Sequence, residues 1–442
     1  WPEEYNKGYD IRDFVKDFVI LPKDLDGGKA KLFSLFREFK SDGMGDIQSK
    51  NVPICSYEQV LEEFSKTVKL SPNFINAFKL SLATLVSMQI PSKRPVWLFL
   101  VGPPGCGKST ICNAFRLASH ACIFQSSIHA KSLVSGWSGR TGFDPSLIPR
   151  LNKKTLVLQD FTEVLAKSQQ EKAEIFSILR GVYDGHLQRA FGQGTSREYN
   201  SSFAIVSGVT RAIYAENTAG LGERFIRYNM FSNNGEAEEQ QKIALDQDLE
   251  PEECDLNVQK KIIGFLENKY DTSISNLKSL IPEWFKIKLR ALTTLVAMLR
   301  TPVERHLFGR FQHEVIYKPV VETGNRLGIQ FQRLAISLAL IEQKEKIDKE
   351  IYSLLLQVGR DSIGDFVRMI IDQLYEQTQP ILLNTFNFGP ILNNRVCAKI
   401  LADLEIIDIV KAITIQTQQT AQIAYKLSDN TYNLIKDSEF YG

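Results

Sequence analysis

The 442-residue chain is poor in cysteine, lacks any long apolar run and carries almost no excess charge of either sign. Its six cysteines, Cys55, Cys106, Cys112, Cys122, Cys254 and Cys397, never form a C-x-x-C pair. Their wide spacing provides neither a zinc site nor a disulfide framework, and a reducing, cytoplasmic interior is the expected home. The longest apolar runs, such as 96–101, fall far short of the roughly 20 residues a membrane span needs, so no membrane partner is expected. Trp1-Pro2-Glu3-Glu4 has neither an initiator Met nor a charged-then-apolar signal pattern, and the chain reads as a fragment or a processed product. Lys and Arg number 53 against 51 Asp and Glu, a net +2, so no global field advertises a polyanion. A nucleic-acid site has to be a local patch. No internal repeat is visible.

Hydrophobic residues at 43% and charged residues at 24% are ordinary for a globular protein with real cores, which excludes disordered, collagen-like and purely coiled-coil chains. Residues 1–24 read as the tail of an upstream domain or a linker. A helical N-terminal region follows over 25–92, where Val60, Leu61, Phe64, Val68, Phe74, Phe78, Leu82 and Leu85 keep helical spacing. Over 93–235 short apolar runs at 96–101, 121–124, 155–158 and 203–206 alternate with helical stretches at 108–119 and 162–183. That alternation predicts a parallel α/β sheet. Residues 187–199, turning at Gly192-Gln193-Gly194, read as a hairpin inserted before the last strand. Nine acids against one Lys over 236–255 read as a solvated linker, and helices at 257–300 and 325–345 complete an acidic linker and helical lid over 236–345. Residues 346–442 read as two helices and then a hairpin at 409–427.

Gly102-Pro103-Pro104-Gly105-Cys106-Gly107-Lys108-Ser109 fits G-x-x-x-x-G-K-[ST], with a predicted strand before it and a predicted helix after it. The glycines let the backbone wrap phosphates with N–H groups pointing inward. The helix start, which includes Thr110, favours an anion. The motif therefore predicts ATP with Mg²⁺, Lys108 reaching the β/γ-phosphates and Ser109 ligating the metal. Thr155-Leu156-Val157-Leu158-Gln159-Asp160 is an apolar strand ending in a carboxylate, as a Walker B segment requires. Asp160 holds the metal, polarises water, or does both through the metal's shell; Glu163 is the other candidate base. Thr210, at a strand's C-terminal end, is placed to orient the attacking water. Arg224 is the candidate trans-acting finger, with Arg227 next in line.

On these residues the chain resembles AAA+ ATPases. Ser207-Gly208-Val209-Thr210 looks like sensor 1, Leu221-Gly222-Glu223-Arg224-Phe225 like the arginine-finger segment, and Thr323-Gly324-Asn325-Arg326-Leu327 like a sensor 2 helix with Arg326 turned towards the γ-phosphate. The hairpin at 187–199 is similar to the insertion shared by superfamily 3 and MCM-like helicases. The pattern as a whole resembles the helicase modules of phage and plasmid primase-helicases, and Gly8-Tyr9-Asp10-Ile11-Arg12-Asp13-Phe14 is similar to the tail of a primase-type domain. The resemblance implies a P-loop NTPase core, a helical lid and a winged-helix-like C-terminal domain. It also implies a homo-hexamer in a bacterial host that hydrolyses ATP at subunit interfaces to translocate on single-stranded DNA and unwind duplex. The reading from another class is a nucleotide-switched DNA-binding or assembly ATPase that never translocates.

For DNA, His186, Arg189 and Arg197 flank a hairpin tip, 192–196, that is free of bulky apolar residues. Such a tip grips a backbone by charge. Trp137, in Ser135-Gly136-Trp137-Ser138-Gly139-Arg140, either stacks a base from a second loop or anchors the core. Residues 281–333 carry nine Lys and Arg against four Glu, a local excess that suits lid surface as well as DNA. In the C-terminal segment Arg395 and Lys399 share a predicted helix with Asp403, a weak balance for DNA reading.

Overall fold

Strands whose side chains are all apolar, or nearly so, can be covered on both faces, and that is how the centre of this chain is built. In a computed structural model, five strands pair in parallel in the order β2-β3-β6-β1-β7. They are β1 (Trp97–Val101), β2 (Cys122–Gln125), β3 (Thr155–Leu158), β6 (Ala204–Val209) and β7 (Ile226–Asn229). Every residue of β1, β3, β6 and β7 is buried. The fold is therefore α/β. β4 (Leu187–Ala190) and β5 (Ser196–Tyr199) form a separate antiparallel hairpin. The structure describes residues 52–442 apart from 92–93, 138–143, 193, 195, 215–223, 232–237, 239–240, 243–244, 246–250, 307–313, 378 and 417–420. From Ile54 onward they form one compact unit. The expected tail at 1–24, most of the acidic stretch and Leu221-Gly222-Glu223 lie outside the described residues.

The register decides what meets at the sheet's edge. Val101 of β1 lies opposite Val209 of β6, and Leu158 of β3 lies opposite Ser207. The C-terminal ends of β1, β6 and β3 thus stand side by side, where ligand sites of open α/β sheets lie.

Two N-terminal helices brace this edge, as the spacing predicts. Ser56 and Gln59 form a capping box on α1 (Tyr57–Ser65); Ser71 caps α2 (Pro72–Val86), with Pro72 in its first turn. The rings of Phe64 and Phe74, Phe64 and Phe78, and Phe78 and Phe115 lie 5.5, 4.8 and 5.9 Å apart. Phe115 directly follows α3 (Lys108–Ala114), so this aromatic stack fixes the helix that begins at Lys108. That helix is shorter than the expected 108–119, because after Ala114 the chain tightens into turns in which Phe115 and Arg116 bond back three residues. The expected helix at 162–183 is two, α4 (Thr162–Leu165) and α5 (Gln169–Tyr183), the second capped by Ser168.

Further helices are α6 (Pro251–Leu266), α7 (Glu283–Leu299), α8 (Asn325–Ile341), α9 (Lys349–Asp361), α10 (Asp365–Glu376), α11 (Asn394–Ile406) and α12 (Asp429–Asp437). Helix α6 starts inside the stretch read as a linker, since Pro251 can occupy a first turn. Helix α9 packs on β7, and Tyr352 on α9 donates to the Ser438 carbonyl just past α12 at 2.7 Å. The chain after 346 thus packs on the sheet through α9 and holds its own last helix against α9. Its last part is a small antiparallel sheet, β8-β10-β9, made of β8 (Ile381–Leu382), β9 (Val410–Gln416) and β10 (Ala421–Leu427) and packed on α10 and α11. Among the described residues no helix is long and apolar enough to cross a membrane.

Candidate nucleotide site

The loop 102–107 leaves β1 at the sheet's edge and enters α3 through Gly107, which has φ +90°. Gly105, at φ +81°, turns the chain within the loop. Both angles lie in the region that favours glycine. A Cβ on Gly107 would meet the Phe74 ring at 2.9 Å, and one on Gly102 would meet Cys106 Sγ and the Met230 carbonyl, both at 2.6 Å. The glycines are therefore demanded by packing as well as by conformation. Pro103, Pro104 and Gly105 are exposed, while Cys106, Lys108 and Thr110 are half-buried and Ser109 is exposed. The Lys108 ammonium lies across the loop, donating to the carbonyls of Gly102 at 2.7 Å and Pro103 at 2.6 Å.

Three expected residues come together here. Past β3, Asp160 Oδ1 accepts from the Thr162 N–H at 2.7 Å, which turns the chain into α4. The Thr162 hydroxyl accepts from the Thr210 N–H at 3.1 Å. Asp160 and Thr210 are thus tied through one residue not singled out from the sequence, Thr162, by its backbone N–H on one side and its hydroxyl on the other. The Phe161 N–H donates to the Gly208 carbonyl at 2.8 Å, locking β3's end to β6. A Cβ at Gly208 would lie 2.9 Å from the Gln159 carbonyl and 3.2 Å from Lys108 Cβ, so glycine there lets the lysine stem approach the strand. Beneath, Cys112 Sγ lies 3.9 Å from the Leu158 carbonyl, and burial pushes its thiol up to about 12. It is an inert floor.

Ser109, exposed in the first turn of α3, stands three residues before Cys112, which lies against the end of β3. A hydroxyl there and the Asp160 carboxylate make a hard-oxygen donor set, and Mg²⁺ usually takes one or two protein oxygens beside phosphate oxygens. Among the described residues no group of three or more His, Cys, Asp or Glu gathers as a metal cage. In kind, a hydroxyl and a carboxylate are the oxygen donors that Mg²⁺ takes beside phosphate oxygens. Glu163 is exposed in the first turn of α4.

The expected arginines do not join this edge. Arg224 immediately precedes Phe225 and β7, and Leu98 pairs with Ile226, so Arg224 lies where the strands begin. It is 7% exposed, with its guanidinium 3.3 Å from Asp184 and 5.3 Å from the centre of the Tyr183 ring. Burial, and then the charge of Arg326, pull it below the ordinary arginine value. Arg326 pairs with Glu322 at 3.6 Å; four residues on, Gln330 bonds the Arg224 carbonyl, the Tyr183 hydroxyl and the Trp97 N–H. Arg326, expected to turn towards the γ-phosphate, thus stands near Arg224 on α8, which packs on the start of β1. Arg227 is buried inside β7, over the Tyr214 ring.

The hairpin arginines are also engaged. Arg189 and Arg197 face each other across β4 and β5, a like-charge pairing that each strand balances separately. Glu174 on α5 binds Arg189 at 2.6 Å, and Asp144 binds Arg197 at 2.6 Å. Arg197 also donates to the Trp137 carbonyl at 2.8 Å, and Phe191 packs on Gly136. Both expected phosphate-gripping arginines thus carry partners within the chain, and Arg197 anchors the hairpin to the Trp137 loop. Trp137 itself is 61% exposed, so it is not a core anchor. His186 lies 3.1 Å from Asn200 at the hairpin base. Residues 138–140, 193 and 195 of these loops lie outside the described residues.

No protein-family model matches the chain, and no curated protein matches it.

Proposed function

We propose that the chain is the ATPase module of a ring-forming DNA helicase or translocase, a P-loop NTPase of the AAA+/superfamily 3-like, primase-helicase type. The observation that carries this reading is that the loop leading to Lys108, the carboxylate of Asp160 and Thr210 follow the C-terminal ends of three adjacent parallel strands, with Thr162 joining the last two. A loop of the G-x-x-x-x-G-K-[ST] form supplies N–H donors and a helix start for phosphate. Phosphate oxygens would replace the Gly102 and Pro103 carbonyls as partners of the Lys108 ammonium. Ser109 and Asp160 would hold Mg²⁺, which when bound neutralises charge on the phosphates. Asp160 and Thr210, held together by Thr162, orient the attacking water and keep it in line with the leaving oxygen.

Arg224 and Arg326 are separated from their own phosphate loop by the length of β1, on the order of 15 Å at the usual strand rise. They serve the nucleotide of a neighbouring subunit instead, which supports a closed ring such as a homo-hexamer. Exposed Trp137, fastened to the hairpin, stacks a base of single-stranded DNA. The sheet β8-β10-β9 with α10 and α11 forms the winged-helix-like part. One observation favours the second reading, a nucleotide-switched DNA-binding or assembly ATPase: Arg189 and Arg197 are already neutralised by Glu174 and Asp144. Strand displacement with ATP separates the two. The motor displaces a duplexed strand and loses this in Asp160→Asn; a switch binds ATP and displaces nothing.

A further inference from the structure

Building on the reading of Thr210 as the residue that orients the attacking water, we propose that the turn directly after it, Arg211–Tyr214, is a positioning element. Through it the corner between α9 and α10, and with it the C-terminal part of the chain, sets the rate of hydrolysis. The turn closes on Thr210 itself, since the Ile213 N–H donates to the Thr210 carbonyl at 3.2 Å and the Ile213 side chain is buried. Its first and last residues both reach the corner. Arg211 pairs with Asp365, the first residue of α10. The Tyr214 hydroxyl stands 2.8 Å from the carbonyl of Asp361, the last residue of α9, and 2.8 Å from Asn229 Oδ1.

The corner is in turn anchored on the sheet. Asn229, opposite Val101 at the end of β7, donates to the Asp361 carboxylate through its backbone N–H at 2.8 Å and its side-chain amide at 3.1 Å. The Arg227 N–H donates to the Ser362 hydroxyl at 3.0 Å. Arg368, in the first turn of α10, lies 3.6 Å from both Asp361 and Asp365. The polar chain Arg211, Asp365, Arg368, Asp361, Asn229 and Tyr214 thus starts and ends in the turn, and its members support one another. Arg211 also lies over the Phe231 ring, 5.3 Å from its centre, and the Met230 carbonyl just before that residue stands against Gly102 of the phosphate loop. From the other side α10 packs on β10. Close-packed elements transmit a shift rather than absorb it, so a movement of the small sheet with α10 reaches Thr210 through these two side chains. The Tyr214 link is made against buried Asp361 and is the stronger; the Arg211 side chain is 54% exposed, and water screens its pair.

The test compares steady-state hydrolysis with nucleotide affinity in the full chain. Tyr214→Phe keeps the ring and removes the hydroxyl, so kcat should fall about tenfold while affinity for a fluorescent ATP analogue stays unchanged. Arg211→Ala and Asp365→Asn should each lower kcat by about threefold, and the double change should cost no more than either single one. Arg211→Lys, which keeps a charge on Asp365, should restore most of the loss. Additive losses, or wild-type kcat in Tyr214→Phe, would overturn the proposal. A lower melting temperature and weaker affinity with kcat unchanged would make the corner a structural joint only, and overturn it too. Thr210→Ala, measured beside these variants, keeps two failures apart. Wild-type hydrolysis in Thr210→Ala sinks the reading of Thr210 beneath the proposal. An inactive Thr210→Ala with normal Tyr214→Phe and Asp365→Asn sinks the coupling alone. Should Tyr214→Phe not fold, the Arg211 and Asp365 cycle decides by the same non-additivity.

Discussion

The Thr210 N–H donates to the Thr162 hydroxyl at 3.1 Å, and the Thr162 N–H donates to Asp160 at 2.7 Å, so one threonine joins the carboxylate to the neighbouring strand's end. Thr162→Val keeps the side chain's shape and the backbone donor to Asp160 but removes the acceptor for Thr210. Turnover should fall by about tenfold, the effect of about 1.4 kcal/mol on the barrier, with nucleotide affinity unchanged. Thr162→Ser should restore most of it. Steady-state hydrolysis with a binding titration checks this; a valine variant at wild-type turnover would mean the tie is only structural.

Lys108→Ala and Asp160→Asn should fail differently. The first removes the ammonium that lies across the loop and should abolish nucleotide binding. The second should bind the nucleotide and not turn it over. Glu163→Gln, at an exposed first-turn position, should hydrolyse near normally. Hydrolysis surviving in Asp160→Asn and lost in Glu163→Gln would exchange their roles.

The site's chain-local parts were legible in the sequence; its long-range parts were not. The phosphate loop is contiguous, and the Asp160 strand is an unbroken apolar run, so motif and burial agree there. β7 escaped because its four residues include Arg227 and Asn229. Both are buried only because α9 brings Asp361 and Ser362 to bond their backbone N–H groups. The pairing of Arg224 with Asp184 escaped for the same reason, since the two come from separated segments. The partners of Arg189 and Arg197 were not legible, because periodicity carries no information on where Glu174 and Asp144 will lie. For Trp137 two readings stood open until its exposure removed one.

Trp137→Ala should weaken single-stranded DNA binding by about 1–3 kcal/mol, the usual worth of one stacked base, without altering basal hydrolysis. Arg197→Ala should act through stability, because it frees Asp144 and unfastens the Trp137 carbonyl. Fluorescence anisotropy with an oligonucleotide, beside a melting curve for each variant, separates the two effects. Undiminished DNA affinity in Trp137→Ala would remove this loop from the DNA path.

Asp361 predicts a pH dependence. It is 5% exposed, and burial pushes its pKa up to about 6 even though Asn229 donates to it twice, at 2.8 and 3.1 Å, and Arg368 lies 3.6 Å away. Asp365 and the Tyr214 hydroxyl complete its polar surroundings. A pKa raised above the unfolded value means that the folded chain takes up the proton first. The associated stability is fully present below about pH 4 and is lost as pH rises through about 6, a difference on the order of 3 kcal/mol. Asp361→Asn should flatten that slope and gain stability relative to wild type at neutral pH. Denaturant unfolding of both proteins across this range reads it; an identical slope in the variant would place the titration elsewhere.

The central claim is an ATPase whose turnover is coupled to DNA within a ring. Its most direct test is the ATP hydrolysis rate with and without single-stranded DNA, measured beside the particle mass in the presence of nucleotide. The account predicts Mg²⁺-dependent hydrolysis that single-stranded DNA accelerates, in a particle several times the 50.1 kDa chain mass. Hydrolysis indifferent to DNA, or carried out by a monomer at full rate, would contradict it.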